Sequence, residues 1–210
     1  MSDRRAKPLW PTLLAIGLCL FAAYAAASRL TLGFRAWTTE DARRIRVAEH
    51  PATVADPLVV ASDGRTRTLW NSDPRARAWL VTFMYTRCLS ICSVTGTEFR
   101  QLQDRIGDEA PGVRLASVSF DPAHDTPSAL ADYGRRHGAD ARVWTIAAPA
   151  DDAALRRLLD ETGVVVIHDG MGGYAHNAAI HVIVPPGRLV RIFPMEKYRE
   201  ALAFAERIGR

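Results

Sequence analysis

Cysteine is scarce in this sequence, with three residues in 210, and two of them, Cys88 and Cys92, stand within one helical turn of each other in the numbering. Lysine is scarcer still, at positions 7 and 197 only, so the formal net charge of +4 is carried by arginines scattered along the chain. A scattered excess forms no basic stripe, and nucleic-acid binding is not read from it. There is no internal repeat, and no low-complexity tract beyond one alanine-rich apolar run, which sets aside repeat architectures. Hydrophobic residues make up 48% of the chain. That is ordinary for a globular protein with a sizeable core, and the length suits one domain plus an appendage.

Charge is also absent from Leu9 to about Ala27, a run of about 19 residues preceded by Arg4, Arg5 and Lys7. The run is close to what a bilayer crossing needs and longer than a usual signal-peptide core. Basic residues before it favour an N-terminus left in the cytoplasm, with the remainder sent across. Small residues at Ala23, Ala25 and Ala27 resemble a cleavage site, so a removed signal peptide is the alternative. The leucine before Cys19 does not suit a lipoprotein signal, and Cys19 reads as a lipid-facing small residue. Trp37 to Pro57 is polar, basic and without clear periodicity, as a tether would be. The expected organisation is a cytoplasmic N-terminus over residues 1–8, an anchor (or signal peptide) over 9–28, a tether over 29–56 and a folded extracytoplasmic domain over 57–210.

The stretch WLVTFMYTRCLSICSVTGTEF organises that domain. Ala78 to Tyr85 is β-branched and aromatic and predicts a buried strand, and Ser93 to Ile106 has apolar residues at helical spacing. Cys88 and Cys92 therefore fall at a strand-to-helix junction, where α/β folds gather reactive groups. Unpaired N–H groups and the helix dipole there favour a thiolate, which is both nucleophile and metal ligand. Two residues four apart on a helix share a face, so the pair can cycle between dithiol and disulfide or hold a soft metal. The plainer alternative is two core cysteines, since free cysteine is often buried.

Around this junction, Leu58–Ala61 and Thr66–Trp70 flank the turn signal Ser62–Gly64 and predict a hairpin preceding the central sheet. Further strands are predicted at Val113–Phe120, Arg142–Ala147, Val164–Ile167, Ile180–Val184 and Leu189–Phe193. Helices are predicted at Pro127–His137, capped by Thr126 and ended by Gly138, at Asp151–Thr162 and at Met195–Ile208. The glycine-rich HDGMGGYAHN reads as a long loop. Strands alternating with helices and closing on a hairpin describe an α/β, thioredoxin-like fold, a mixed central sheet flanked by helices.

Three segments, MYTRCLSIC, SVSFDPAHDTPSALADYGRRHGAD followed by Trp144, and YAHNAAIHVIVPPGRLVRIF, in this order and at these separations, resemble the Sco/SenC family. The resemblance spans Leu58 to Arg210 and implies a thioredoxin-like protein tethered to the inner membrane with its domain in the periplasm. It further implies that copper, as Cu(I) or Cu(II), is bound by Cys88, Cys92 and His176. The implied role is assembly of the copper centre of cytochrome c oxidase, with that oxidase's copper-bearing subunit or another copper carrier as partner. Family members commonly carry prolines within and after the cysteine pair, where this chain has Leu89, Ser90 and Ser93, and often an acidic residue before the histidine, where it has Ala175. Two thiolates and an imidazole suit copper, with zinc the main competitor. Metal binding and disulfide closure exclude one another. The alternative function is an extracytoplasmic thiol–disulfide oxidoreductase using Cys88 and Cys92, with His176 dispensable.

The other histidines carry ordinary expectations. His181, five residues after His176, falls on the opposite sheet face if the two share a strand. His124 reads as a solvated loop residue, His137 as a helix-end residue explained by the dipole, and His50 as part of the tether. His168 is the spare candidate, in a loop whose mobility would swing His176 toward the cysteines. Asp121 reads as a turn-forming residue with a supporting role at the site as the alternative.

Overall fold

The computed structural model describes residues 9–88, 91–170 and 172–208; the expected N-terminal segment 1–8 lies outside them, as do Leu89, Ser90 and the side chains of residues 91–94 and 107–109. The chain divides into two units, residues 1–45 and 46–210.

In the first unit α1 (Trp10–Leu30) has proline in its first turn, where a missing N–H costs nothing, and none of its residues is buried in the protein. It is long and apolar enough to cross a membrane, a test that a signal sequence also passes. The polar stretch expected to be an irregular tether contains α2 (Thr39–Glu49). Its start is capped by Thr38, whose hydroxyl accepts from the Asp41 N–H. Glu40 pairs with Arg43 and Arg44 at 2.7 and 3.2 Å. Cap and ion pairs supply what apolar periodicity does not.

In the second unit eight strands form one sheet. They are β1 (Ala52–Thr53), β2 (Leu58–Ala61), β3 (Thr66–Thr68), β4 (Ala78–Met84), β5 (Val113–Ser119), β6 (Trp144–Pro149), β9 (Ala179–Val184) and β10 (Arg188–Pro194). A separate two-stranded sheet pairs β7 (Val166–His168) with β8 (Tyr174–His176). The large sheet runs β1-β10-β9-β4-β5-β6-β2-β3. Its centre, β4-β5-β6, is parallel, and its flanks are antiparallel. The helices of this unit are α3 (Ile91–Glu109), α4 (Pro127–His137), α5 (Asp152–Thr162) and α6 (Tyr198–Ile208), the last preceded by a single 3₁₀ turn at Met195–Lys197. The mixed sheet with helices between its parallel strands is the thioredoxin-like architecture that the order of elements predicts.

Every residue of β4 and β5 is buried, which explains their near-continuous apolar character, since a strand covered on both faces has no reason to alternate. Their polar exceptions are bonded: the Ser117 hydroxyl accepts from the Trp144 indole at 3.0 Å. The Thr126 cap and the Gly138 stop fall where expected, whereas Asp151, read as the first helical residue, is the cap of α5. Thr126 accepts from the Ala129 N–H, Asp151 from that of Ala154, and Gly138 ends α4 in the left-handed region at φ 65°. The hairpin at 58–68 is present but extends the central sheet beside β6 rather than preceding it, and Trp70 leaves the strand to bury its ring and donate to the Ala55 carbonyl.

Gly96 lets α3 approach α4: a Cβ there would lie 2.3 Å from the His137 ring. Alanine has the higher helix propensity by about 1 kcal/mol. The overlap nonetheless decides the sign, because His137 is packed on Tyr133 with ring centroids 4.5 Å apart. Gly96→Ala is expected to destabilise the protein by about 1–3 kcal/mol in chemical denaturation. Adding His137→Ala should recover most of that loss.

Candidate metal centre

Strand β4 ends at Met84 and the chain turns through Thr86 and Arg87 to Cys88, whose N–H donates to the Tyr85 carbonyl at 3.3 Å. Cys88 is half-buried against the core. Cys92 belongs to the first turn of α3, and its side chain lies outside the described residues. Among the described residues no three histidine, cysteine or acidic side chains form a metal-holding group.

The turn before Cys88 is held by a buried carboxylate. Asp125, 2% exposed, accepts from the Thr86 N–H at 3.0 Å, the Thr86 hydroxyl at 2.6 Å and the Ser119 hydroxyl at 2.6 Å. Asp121 beside it accepts from Arg87 and hydrogen-bonds His124, both at 2.8 Å. Burial would raise the pKa of Asp121, but these bonds and the charges of His124 and Arg87 outweigh it, and the carboxyl is lowered. The segment DPAHDT is thus a clamp on the cysteine turn. His124 is the exposed loop residue expected, additionally tied to Asp121, and Asp121 does more than form a turn.

His176 arrives from the other side on β8. The glycine-rich stretch expected to be a long loop is mostly hairpin: Val166 pairs with His176, Ile167 with Ala175 and His168 with Tyr174. Asn177 fastens its base, accepting from the Val165 N–H and donating to the Gly163 carbonyl. The Tyr174 N–H donates to the Tyr85 hydroxyl at 3.3 Å. His176 is therefore fixed in a paired strand and does not swing on a loop. Val165 and Ile167, read as part of one continuous apolar strand, are 56% and 61% exposed.

An aromatic cluster joins the two sides. Tyr85 packs on Phe120 and Tyr174 at 5.4 and 5.1 Å between centroids, and the His176 ring lies 5.0 Å from Phe120. The Tyr85 backbone carbonyl also accepts from the Cys88 N–H, so the cysteine turn and the histidine hairpin are both tied to Tyr85 at the carboxyl end of β4. Burial and the charge of Asp121 raise the phenol pKa of Tyr174, so the same carboxylate faces both the cysteine turn and the histidine hairpin.

Among the described residues neither ring nitrogen of His176 has a hydrogen-bond partner, and both nitrogens are buried. Burial lowers the pKa of this ring, and no charged neighbour contributes, in keeping with alanine at 175. The neutral imidazole is thereby favoured, the form that ligates a metal. The consequence for stability has a definite sign. A histidine lowered on folding binds its proton more readily in the unfolded chain, so its contribution is full above about pH 6.5 and is lost as pH falls below that value. His137, lowered by burial and then by Arg136, acts in the same direction, against the dipole account of that residue. In metal-free protein, unfolding midpoints should fall from pH 7 toward pH 5.5, and His176→Phe should flatten part of the slope.

The remaining histidines separate cleanly. His181 is wholly buried in β9, edge-on to Phe83 at 5.3 Å, and shares no strand with His176, so strand parity does not relate the two. His168 is exposed and rests on Tyr174 at 4.5 Å. A cleft of about 670 Å³ lies at the opposite ends of the parallel strands, where Arg100–Asp104 and Arg142–Asp140 pairs line it.

The SCO1/SenC family model matches residues 49–208. The chain belongs to the SCO1/SenC family. It is 22% identical over 119 residues to the SCO1 protein homolog of Bacillus subtilis (strain 168), a match that covers 56% of this chain and 62% of that protein. Among solved structures it resembles Bradyrhizobium japonicum ScoI with copper bound, at 21% identity and a TM-score of 0.59, over 74% of this chain and 99% of that one. It also resembles BsSco, a member of the Sco family of cytochrome c oxidase assembly proteins in which a disulfide switch was identified. That match has 18% identity and a TM-score of 0.65, over 76% of this chain and 95% of that one. Within this SCO1/SenC domain, the clamp formed by Asp125, Thr86 and Ser119 is the feature that sequence reasoning missed. Its signal was present in the serines of β5, a strand buried along its whole length, since a buried hydroxyl requires a partner.

Proposed function

We propose that the protein is a membrane-anchored copper carrier in which Cys88, Cys92 and His176 hold one copper ion as cargo for the copper-bearing subunit of cytochrome c oxidase or another copper carrier. The observation that carries this reading is the His176 imidazole, whose two nitrogens are buried and have no partner among the described residues and whose pKa burial lowers, on a hairpin tied to Tyr85 as the cysteine turn is. A buried polar group left unsatisfied costs free energy, and an incoming soft cation would remove that cost. Two thiolates and one imidazole match copper in either oxidation state, and three protein ligands leave a position through which a recipient's ligand can enter. Copper bound to ScoI and the oxidase-assembly role of BsSco's family support the cargo and the recipient.

Closing Cys88 and Cys92 into a disulfide gives up two electrons and two protons to an oxidant and removes both sulfur donors, so oxidised protein cannot carry the ion. Helix α1 would hold the domain on the periplasmic side of the inner membrane. A thiol–disulfide exchange function would need the cysteines alone and leaves the state of His176 unexplained. The test is a copper titration of reduced and oxidised full-length protein in detergent. One equivalent bound by the reduced form and none by the oxidised form supports the carrier. Absence of stoichiometric binding by the reduced form, together with turnover on a disulfide substrate, overturns it.

A further inference from the structure

The segment that follows α1 has a structure that an aqueous tether does not need. Every backbone N–H from Thr31 to Ala36 is bonded inside the turn: Thr31 to the Ala27 carbonyl, Leu32 to Arg29, Gly33 to Ser28, and Arg35 and Ala36 to Thr31. The Phe34 N–H donates to the Thr31 hydroxyl, which itself donates to the Ala27 carbonyl. Carbonyls that a helix end ordinarily leaves to water are thus satisfied by the chain itself, the condition for lying at a bilayer boundary.

Three consecutive residues, Leu32, Gly33 and Phe34, adopt φ of 50°, 71° and 62°. Leucine and phenylalanine are strained in that region. Here the strain folds Phe34 back along α1, where its ring lies 5.5 Å from Tyr24 and 6.2 Å from Trp37. The three rings form a girdle whose outermost member, Trp37, is 75% exposed. At the other end of α1 Trp10 is 66% exposed. Helix α1 spans about 31 Å at 1.5 Å per residue, close to the ~30 Å hydrocarbon thickness. Exposed aromatics at both ends of such a span occupy the two headgroup levels. Arg29 and Arg35 flank the turn, and no acidic residue occurs between Asp3 and Glu40.

We infer that residues 31–37 form an interfacial clamp, a closed aromatic turn seated in the headgroup layer of a bilayer containing anionic phospholipid. This rests on the part of the proposed function in which α1 is a retained anchor. The turn fixes the depth of the span, and the chain leaves the membrane after Trp37. Arginines 29 and 35 meet the lipid phosphates, and the ring cluster fills the boundary between chains and headgroups.

The experiment uses the full chain in vesicles of phosphatidylcholine and phosphatidylglycerol. Trp70, Trp79 and Trp144 are at most 1% exposed, so the difference in emission between the protein and Trp37→Phe isolates Trp37. The expected Trp37 emission is blue-shifted, and it is quenched more by lipids brominated near the headgroup end of the acyl chain than by lipids brominated near the chain terminus. Aqueous iodide should leave it almost unquenched. Arg29→Gln with Arg35→Gln should keep the chain on vesicles but remove the dependence of that quenching on phosphatidylglycerol. A chain that floats with the vesicles while Trp37 emits as in water and is quenched by iodide overturns this inference alone. A chain that fails to float sinks the anchor and the clamp together. Quenching whose lipid dependence survives the double substitution overturns the role of the arginines.

Discussion

His176→Ala is expected to weaken copper binding by more than about a hundredfold, beyond the 10–100-fold that groups merely supporting a metal ligand contribute. The fold should survive, because the ring contributes no hydrogen bond and its main packing partner, Phe120, is also held by Tyr85 and Tyr174. His176→Phe separates ligation from packing more sharply. It keeps an aromatic ring against Phe120 and removes two buried nitrogens without partners, each group of this kind costing about 1–3 kcal/mol. Metal-free His176→Phe should therefore be at least as stable as the native protein while binding no copper. Competition titration with a copper chelator and denaturant unfolding read the two effects separately. Equal affinity in the native protein and His176→Ala would remove the histidine from the site.

Asp125→Ala is expected to cost at least about 4 kcal/mol in the metal-free protein, since hydrogen bonds to a charged acceptor contribute about 1.5–3 kcal/mol each and the substitution strands three donors. The Thr86 N–H and hydroxyl and the Ser119 hydroxyl lose their acceptor together, and Thr86 stands two residues before Cys88. Copper affinity should fall by about tenfold, the lower end of what ligand-supporting partners contribute. Asp125→Asn retains one carbonyl oxygen and should restore part of both quantities. In a double-mutant cycle with Thr86→Val the effects should be strongly non-additive, as expected within one hydrogen-bond network. Additive effects within about 0.5 kcal/mol would mean that the carboxylate does not hold the turn.

The contrast between these two residues shows what a linear chain reveals. The cysteine junction was legible because strand β4 and helix α3 announce themselves locally, one by an unbroken β-prone run and the other by helical spacing, so their meeting point could be located. The cap at Thr126 and the left-handed glycine at 138 were legible for the same reason, each depending on neighbours within a few residues. The place of His176 followed from resemblance to a family. The strand that carries it was hidden, because three residues beside a glycine-rich tip have no pattern of their own. Pairing with Val166 and anchorage to Tyr85, 89 positions away from Tyr174, make β8 what it is.

The acidic clamp was hidden by distance as well. Asp125 and Thr86 are 39 positions apart, and no local rule assigns an aspartate in a DPAHDT turn to the backbone before a cysteine. Serines in a buried strand pointed to a missing partner without identifying it. The helix over Thr39–Glu49 was lost for a different reason, because its stability comes from a threonine cap and charged pairs while the pattern sought was apolar.

The proposed function depends on two sulfurs and one imidazole meeting a single ion. X-ray absorption at the copper edge of the stoichiometrically loaded protein, compared with loaded His176→Ala, tests this most directly. The expected spectrum shows two sulfur scatterers and the multiple-scattering signature of an imidazole, with that signature absent from the variant. A sulfur-only shell in the native protein, or an imidazole signature that persists in His176→Ala, would contradict the site.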